Sequence, residues 1–217
     1  MGCQLPFFII PRNLMVTKRT ETEINFAADE SLSLGCPVIE TRRLLLRPPH
    51  EDDIDDMVHL ANNFSVASML GTMPHPYFPE DAKEFLARVK RRAKGDSVYA
   101  ITNKQDGEFM GCCGLHYDAQ RFELPYMGYW LGEPYWNKGF ATEAARALVD
   151  LFFKVTDREE LMLSCRLENV ASRAVIAKCG GQYWKSGEAR HKVRGELQQL
   201  EHFRVTRSSW MAAAFGK

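Results

Sequence analysis

The chain has 217 residues, 45% hydrophobic and 26% charged, enough for one domain with a substantial core. Its 28 basic and 28 acidic side chains cancel, so it lacks the electrostatic footprint of a nucleic-acid binder. No apolar run approaches the length of a membrane span.

The six cysteines, Cys3, Cys36, Cys112, Cys113, Cys165 and Cys179, form no C-x-x-C pair and share no neighbourhood with a His cluster. A zinc site is therefore not expected. Cys112 and Cys165 lie in apolar runs and read as small core residues in a reducing compartment. The short apolar run 5–10 contains Pro6 and has no basic segment before it, and Pro6 stands where an acylation signal needs Ser or Thr. The expected location is the cytoplasm.

Residues 1–37 read as an extension with prolines, polar stretches and no sustained periodicity, 38–210 as the folded domain, and 211–217 as a tail. Residues 38–47 predict a first strand, ended by Pro48 and Pro49. Glu51, Asp52 and Asp53 place negative charge at a helix start, and Ile54, Met57, Val58 and Ala61 recur at helical spacing. Residues 64–78, broken by Gly71, Pro74 and Pro76, predict an irregular segment. Its Met73, His75, Tyr77 and Phe78 either line a pocket or pack on the core. Pro79 opens a second helix with Ala82, Phe85, Leu86 and Val89 inward. Its basic end, Arg88, Lys90, Arg91, Arg92 and Lys94, reads as a solvated terminus or an anion contact.

Residues 97–102, 108–117 and 122–131 predict three strands joined by short turns, an antiparallel meander. Gly128 inside the third marks a bulge or a close backbone approach. An amphipathic helix follows, with Ala144, Leu148, Leu151, Phe152 and Val155 as its buried stripe. Residues 161–167 then form a strand, so strand, helix and strand make a βαβ unit with parallel strands and a ligand site near their carboxyl ends. Residues 168–181 predict a helix stopped by Gly180 and Gly181. A hairpin over 182–190 and 197–208 closes the domain.

The turn Trp136-Asn137-Lys138-Gly139-Phe140-Ala141 opens directly on the helix of the βαβ unit. A helix start presents unpaired N–H groups and the positive end of the macrodipole. Gly139 and Ala141 let a ligand approach, so the N–H groups of Asn137 through Thr142 suit paired phosphates, with Lys138 adding charge. A P-loop lysine motif is absent.

This turn, with Thr142-Glu143-Ala144 behind it, resembles the acyl-CoA pyrophosphate loop of the GNAT superfamily of N-acetyltransferases. Asn169-x-x-Ser172 with Lys178-x-Gly180 resembles that superfamily's second conserved segment. Glu40-Thr41-Arg42-Arg43-Leu44-Leu45-Leu46-Arg47 is similar to the first strand of its ribosomal-protein alanine/serine N-acetyltransferase (RimJ/RimL-like) branch. The resemblance runs in order over residues 38–210. It implies an α+β fold: a mixed, largely antiparallel central sheet with a splayed parallel strand pair and helices on both faces.

The resemblance also implies acetyl-CoA as cosubstrate. Trp136, Asn137, Lys138, Gly139, Phe140, Ala141 and Thr142 would hold its phosphates, and the main chain of Tyr129, Trp130 and Leu131 its pantetheine arm, with Asn169 and Ser172 beyond. A primary amine, on a small molecule or a protein N-terminus, attacks the thioester directly. In the implied catalytic set Ser172 serves the leaving sulfur and Asn169 holds the arm. Glu123 is the leading carboxylate for the general base. Where branch members carry Glu and Asp this chain has Tyr126 and Gln199, with Glu201 nearby; His116 and a water chain are the other candidates. A non-catalytic acyl-CoA-binding sensor or interaction module is the alternative reading. Metal, nucleic acid and membrane are not expected, and the molecule is expected as a monomer or homodimer.

Overall fold

Thr41 cuts the first expected strand in two. Its N–H donates to the Leu44 carbonyl and its hydroxyl oxygen accepts from the Leu44 N–H, both at 2.9 Å. A short hydroxyl side chain that bonds nearby backbone offers the chain an alternative to the ladder. The result is a tight hairpin, β1 (Ile39–Glu40) against β2 (Leu44–Arg47). This computed structural model describes residues 36–91, 96–117, 124–191 and 194–215.

A short 3-10 turn, Glu51–Asp53, leads into α1 (Ile54–Ala61). Asp53 is buried and accepts from both terminal nitrogens of Arg47, at 2.9 and 2.6 Å. The segment expected to be irregular holds a five-residue helix, α2 (Phe64–Ser68), because the Asn63 side chain accepts the Ser65 N–H at 2.8 Å and caps it. Met73 and Tyr77 are buried in the core, His75 is half-buried and Phe78 is exposed. In α3 (Pro79–Lys90) the inward face is Ala82, Phe85 and Leu86, and at its basic end Arg88 and Lys90 pair with Glu84 and Glu51. That end is a solvated terminus; Arg92 and Lys94 lie outside the described residues.

The meander is β3 (Ser97–Asn103), β4 (Phe109–His116) and β5 (Tyr126–Leu131), all antiparallel. The turn expected near 118–121 lies outside the described residues. Then follow α4 (Phe140–Val155), β6 (Glu160–Arg166), α5 (Val170–Lys178), β7 (Gln182–Arg190) and β8 (Leu197–Thr206). A last helix, α6 (Arg207–Phe215), was not foreseen and runs past residue 210. Trp210 anchors it by stacking on Phe153 at 5.2 Å and donating to Asp150 at 2.6 Å.

Among the described residues eight strands form one sheet in the order β1-β2-β3-β4-β5-β6-β8-β7. Side-chain alternation gives each face its own apolar layer. Met127, Leu131, Leu161, Leu163, Phe203 and Val205 pack with α4, α5 and α6. Val98, Ala100, Cys112 and Trp130 pack with α1, α2 and α3. This is the mixed, mostly antiparallel α+β architecture expected, with helices on both faces.

Candidate active site

β5 and β6 pair in parallel over two rungs only, Tyr126 with Met162 and Met127 with Leu163. Beyond them β5 stays with β4 and β6 with β8, so Gly128 and Ser164 begin a wedge-shaped gap. The gap runs toward the carboxyl ends of both strands. The Gly132 N–H donates to the Met110 carbonyl at 2.9 Å. Since strand groups alternate in direction, Trp130 points its main chain into the β4 ladder, while Tyr129 and Leu131 aim theirs into the gap. The Trp130 side chain is buried under α1–α3, so Trp130 supports the gap without facing it. The Leu131 carbonyl already accepts from Trp136 Nε1 at 2.8 Å.

At the mouth of the gap the chain coils through two left-handed residues, Asn137 at φ 59° and Gly139 at φ 80°. Glycine relieves the second position of Cβ strain. The first intrahelical bond of α4 runs from the Glu143 N–H to the Gly139 carbonyl. The N–H groups of Phe140, Ala141 and Thr142 precede it and have no acceptor within the helix. Asn137, Lys138 and Gly139 are exposed, and the arrangement is a concave anion site.

Arg43, from the β1–β2 turn, locks this loop. Its Nε donates to Glu143 Oε2 at 2.7 Å, its Nη1 to the Lys138 carbonyl at 2.9 Å, and its guanidinium covers the Phe140 ring at 4.4 Å. Glu143 Oε1 accepts from the Arg43 N–H and the Thr41 hydroxyl, both at 2.7 Å. Burial alone would raise the Glu143 pKa, but the Thr41 and Arg43 donors win and hold it below the ordinary carboxylate value. Sequence reasoning quoted Thr41, Arg43 and Glu143 without seeing that they meet.

Asn169 is the N-cap of α5, its Oδ1 accepting the Ser172 N–H at 2.9 Å. Ser172 is thereby released from capping. Its hydroxyl lies 2.9 Å from the Tyr129 hydroxyl. Burial keeps the Tyr129 pKa well above its usual value despite that bond, so the phenol stays protonated at neutral pH. The sequence placed Tyr129 on the site only through its main chain.

The carboxylate candidates disperse. Glu201 accepts from Arg173 Nε at 2.7 Å, against α5, and Gln199 donates to Glu188 at 2.5 Å. His116 Nδ1 sits 3.4 Å from Asp96 Oδ2. Glu123 lies outside the described residues. On the α1–α3 face, Ser164 Oγ at the closed end of the gap is 2.7 Å from His202 Nδ1. Farther along β6, Arg166 donates to the Ser68 carbonyl and Arg194 to the Ala67 carbonyl at 3.4 Å, tying this wall to the end of α2. Among the described residues no group of three His, Cys, Asp or Glu is placed to hold a metal ion, and no helix is long and apolar enough to cross a membrane.

Residues 43–182, more than half of the chain, match the family model of the acetyltransferase (GNAT) domain. The chain belongs to the GNAT acetyltransferase family. A curated relative, the uncharacterized N-acetyltransferase p20 of Bacillus licheniformis, is 24% identical over 174 residues, 78% of this chain and 96% of that protein. A GNAT-family acetyltransferase structure from Bacillus anthracis superposes with a TM-score of 0.67 at 20% identity, covering 79% of this chain and 99% of that one. RimL, a ribosomal alpha-N-protein acetyltransferase solved with coenzyme A, gives 0.65 at 17% identity, covering 80% and 99%. At these identities the structures establish the fold. The family membership makes this GNAT chain an acetyltransferase, and GNAT acetyltransferases use acetyl-CoA.

Proposed function

We propose that this GNAT acetyltransferase moves the acetyl group of acetyl-CoA to a primary amine, a protein N-terminus or a small amine, in the cytoplasm, within the ribosomal-protein alanine/serine N-acetyltransferase branch. The observation that carries this reading is the alignment of the left-handed turn before α4 with the two-rung gap between β5 and β6. A ligand with phosphates at one end and a narrow polar arm at the other fits that pair of features.

The N–H groups of Asn137, Lys138, Gly139, Phe140, Ala141 and Thr142 would hold the pyrophosphate, with Arg43 supplying positive charge beside them. The main chain of Tyr129 and the Leu131 N–H would bond the amides of the arm, as an added strand would. Asn169 keeps its Nδ2 for the same arm, its Oδ1 being committed to the cap. When bound, acetyl-CoA supplies an acyl thioester with a good leaving group. The wedge holds carbonyl and amine in one narrow space, which raises their effective concentration. Ser172 would donate to the sulfur as it leaves, and Tyr129, protonated and bonded to Ser172, would return a proton to it.

The test is release of free thiol from acetyl-CoA with a panel of amines: peptides beginning with Ala or Ser, polyamines and amino sugars. Turnover of one class supports the reading. Firm acetyl-CoA binding without thiol release from any acceptor would favour a binding module instead.

A further inference from the structure

Attack on the thioester needs an uncharged amine, so something must take the proton of an ammonium ion. Of the carboxylate candidates, Glu201 is engaged by Arg173, and Glu123 lies outside the described residues. A different group stands at the closed end of the gap. Ser164 is the first β6 residue beyond the last rung, and it lies on the face opposite α4 and α5, between Met162 and Arg166. It is half-buried, whereas its two polar neighbours, Tyr126 and His202, are each 1% exposed. His202 is its register partner across the β6–β8 ladder, with Nδ1 2.7 Å from Ser164 Oγ. The Tyr126 hydroxyl approaches Ser164 from the β5 side.

We infer that Ser164 and His202 form the proton-accepting relay of this acetyltransferase, with Ser164 touching the acceptor amine and His202 receiving the proton behind it. The inference rests on the acetyl-transfer reading above. An N–H proton of the ammonium passes to Ser164 Oγ as the Ser164 hydroxyl proton passes to His202 Nδ1. The amine is left neutral, Ser164 unchanged and His202 as an imidazolium. The neutral amine then forms the C–N bond as the C–S bond breaks; the thiolate takes a proton from Ser172, Tyr129 restores it, and the second N–H proton lost by the new amide nitrogen reprotonates Tyr129 through water, leaving amide, free thiol and an unchanged Tyr129–Ser172 pair.

The surroundings suit this role. Burial raises the Tyr126 pKa beyond what its contact with Ser164 lowers, so Tyr126 remains a donor. It can fill one acceptor position of Ser164 and direct the serine proton toward His202, leaving the second lone pair for the amine. Gly187 packs against the far side of the imidazole: a Cβ there would lie 2.8 Å from His202 Nε2. Only a residue without a side chain leaves the ring that position. By register, Lys185 of β7 stands opposite His202, Arg204 lies two residues along β8, and Arg166 lies two residues along β6 from Ser164. Arg204 is paired with Glu160 and stacked on Trp184 at 3.6 Å, and Lys185 also sits over Trp184 at 3.8 Å. Both cations are thus held on the indole. The sequence signalled this substitution only indirectly, through Tyr126 standing where a carboxylate was expected.

The relay is tested on the full chain saturated with coenzyme A, by NMR of the His202 ring, assigned by its loss in His202→Gln. The expected ring has Nδ1 unprotonated in the neutral form and changes charge state over the pH range in which activity rises. With the best amine of the thiol-release panel, kcat/KM should rise with pH along the same curve. His202→Gln and Ser164→Ala should each lower it about 100-fold and abolish that limb, the usual size of a general-base contribution. A His202 ring that keeps one charge state from about pH 5 to 9, or carries its neutral proton on Nδ1, overturns the relay. So does a His202→Gln protein that binds coenzyme A normally and keeps the pH limb. Failure to bind coenzyme A at all would instead sink the transferase reading, so the two failures are distinguishable.

Discussion

The two walls of the gap between β5 and β6 are built in opposite ways. On the α4–α5 side, the turn and rail come from one stretch of chain, Tyr129 to Glu143, supplemented by Asn169 and Ser172. In the proposed complex most of that wall would meet its ligand through main-chain N–H and C=O groups. On the α1–α3 side, Tyr126, Ser164 and His202 come from three strands, and Arg194 from the loop between β7 and β8. On that wall it is side chains that topology brings together. Main-chain recognition requires only small residues in a contiguous turn. Side-chain constellations require the whole sheet order to be in place.

The comparison breaks most severely if the turn is damaged. Gly139→Asp places a side chain at φ 80°, a strain of about 1–2 kcal/mol, and a negative charge where phosphates are expected. Acetyl-CoA affinity by calorimetry should fall more than about 30-fold, with the fold retained by circular dichroism. An unchanged dissociation constant would show that the turn holds nothing.

Next in size is the hydroxyl pair. Ser172→Ala and Tyr129→Phe should lower kcat about 10- to 100-fold while the acetyl-CoA dissociation constant stays within about threefold. Equal kcat would reduce the pair to packing. Weaker still, Arg43→Gln and Glu143→Gln should each raise the acetyl-CoA dissociation constant about fivefold, as expected for loss of a charge-assisted contact at a partly exposed site. The double variant should cost less than the sum of the two, and the amine KM should not move. A changed amine KM would mean that the two walls are not separate.

The smallest effect is one of pH. Asp53 and Glu143 both have folded pKa values below the unfolded ones: burial pushes each up, but the Arg47 and His50 donors, and the Thr41 and Arg43 donors, outweigh it. A depressed carboxylate pKa adds stability that is complete above the unfolded value, near 4, and is lost as pH falls through the folded value. The melting temperature should therefore hold down to about pH 5 and then drop. Glu143→Gln should shallow that drop, and a drop of unaltered steepness would show that Glu143 is not linked to folding.

Sequence patterning carried the strand meander, the βαβ unit and the small-residue turn before α4 because each is local: period-2 runs, a glycine turn between strands, and small residues before an amphipathic helix. It failed at Thr41, where one hydroxyl turns a ten-residue run into a hairpin, and at Asn63, whose cap makes a helix of five residues in an otherwise irregular stretch. It singled out Ser172 but could not see that the Tyr129 hydroxyl meets it, because the two residues are 43 apart in the chain. His202 drew no attention for the same reason: its neighbour Ser164 lies 38 residues away, and only the β6–β8 register joins them. Arg43 and Glu143 are 100 residues apart.

A crystal structure of the protein with coenzyme A tests the central claim most directly. The account predicts phosphates against the N–H groups of residues 137–142, the arm along Tyr129 and Leu131, and the sulfur at the closed end of the gap, between the Tyr129–Ser172 pair and Ser164. Coenzyme A bound elsewhere, with the gap between β5 and β6 unfilled, would contradict it.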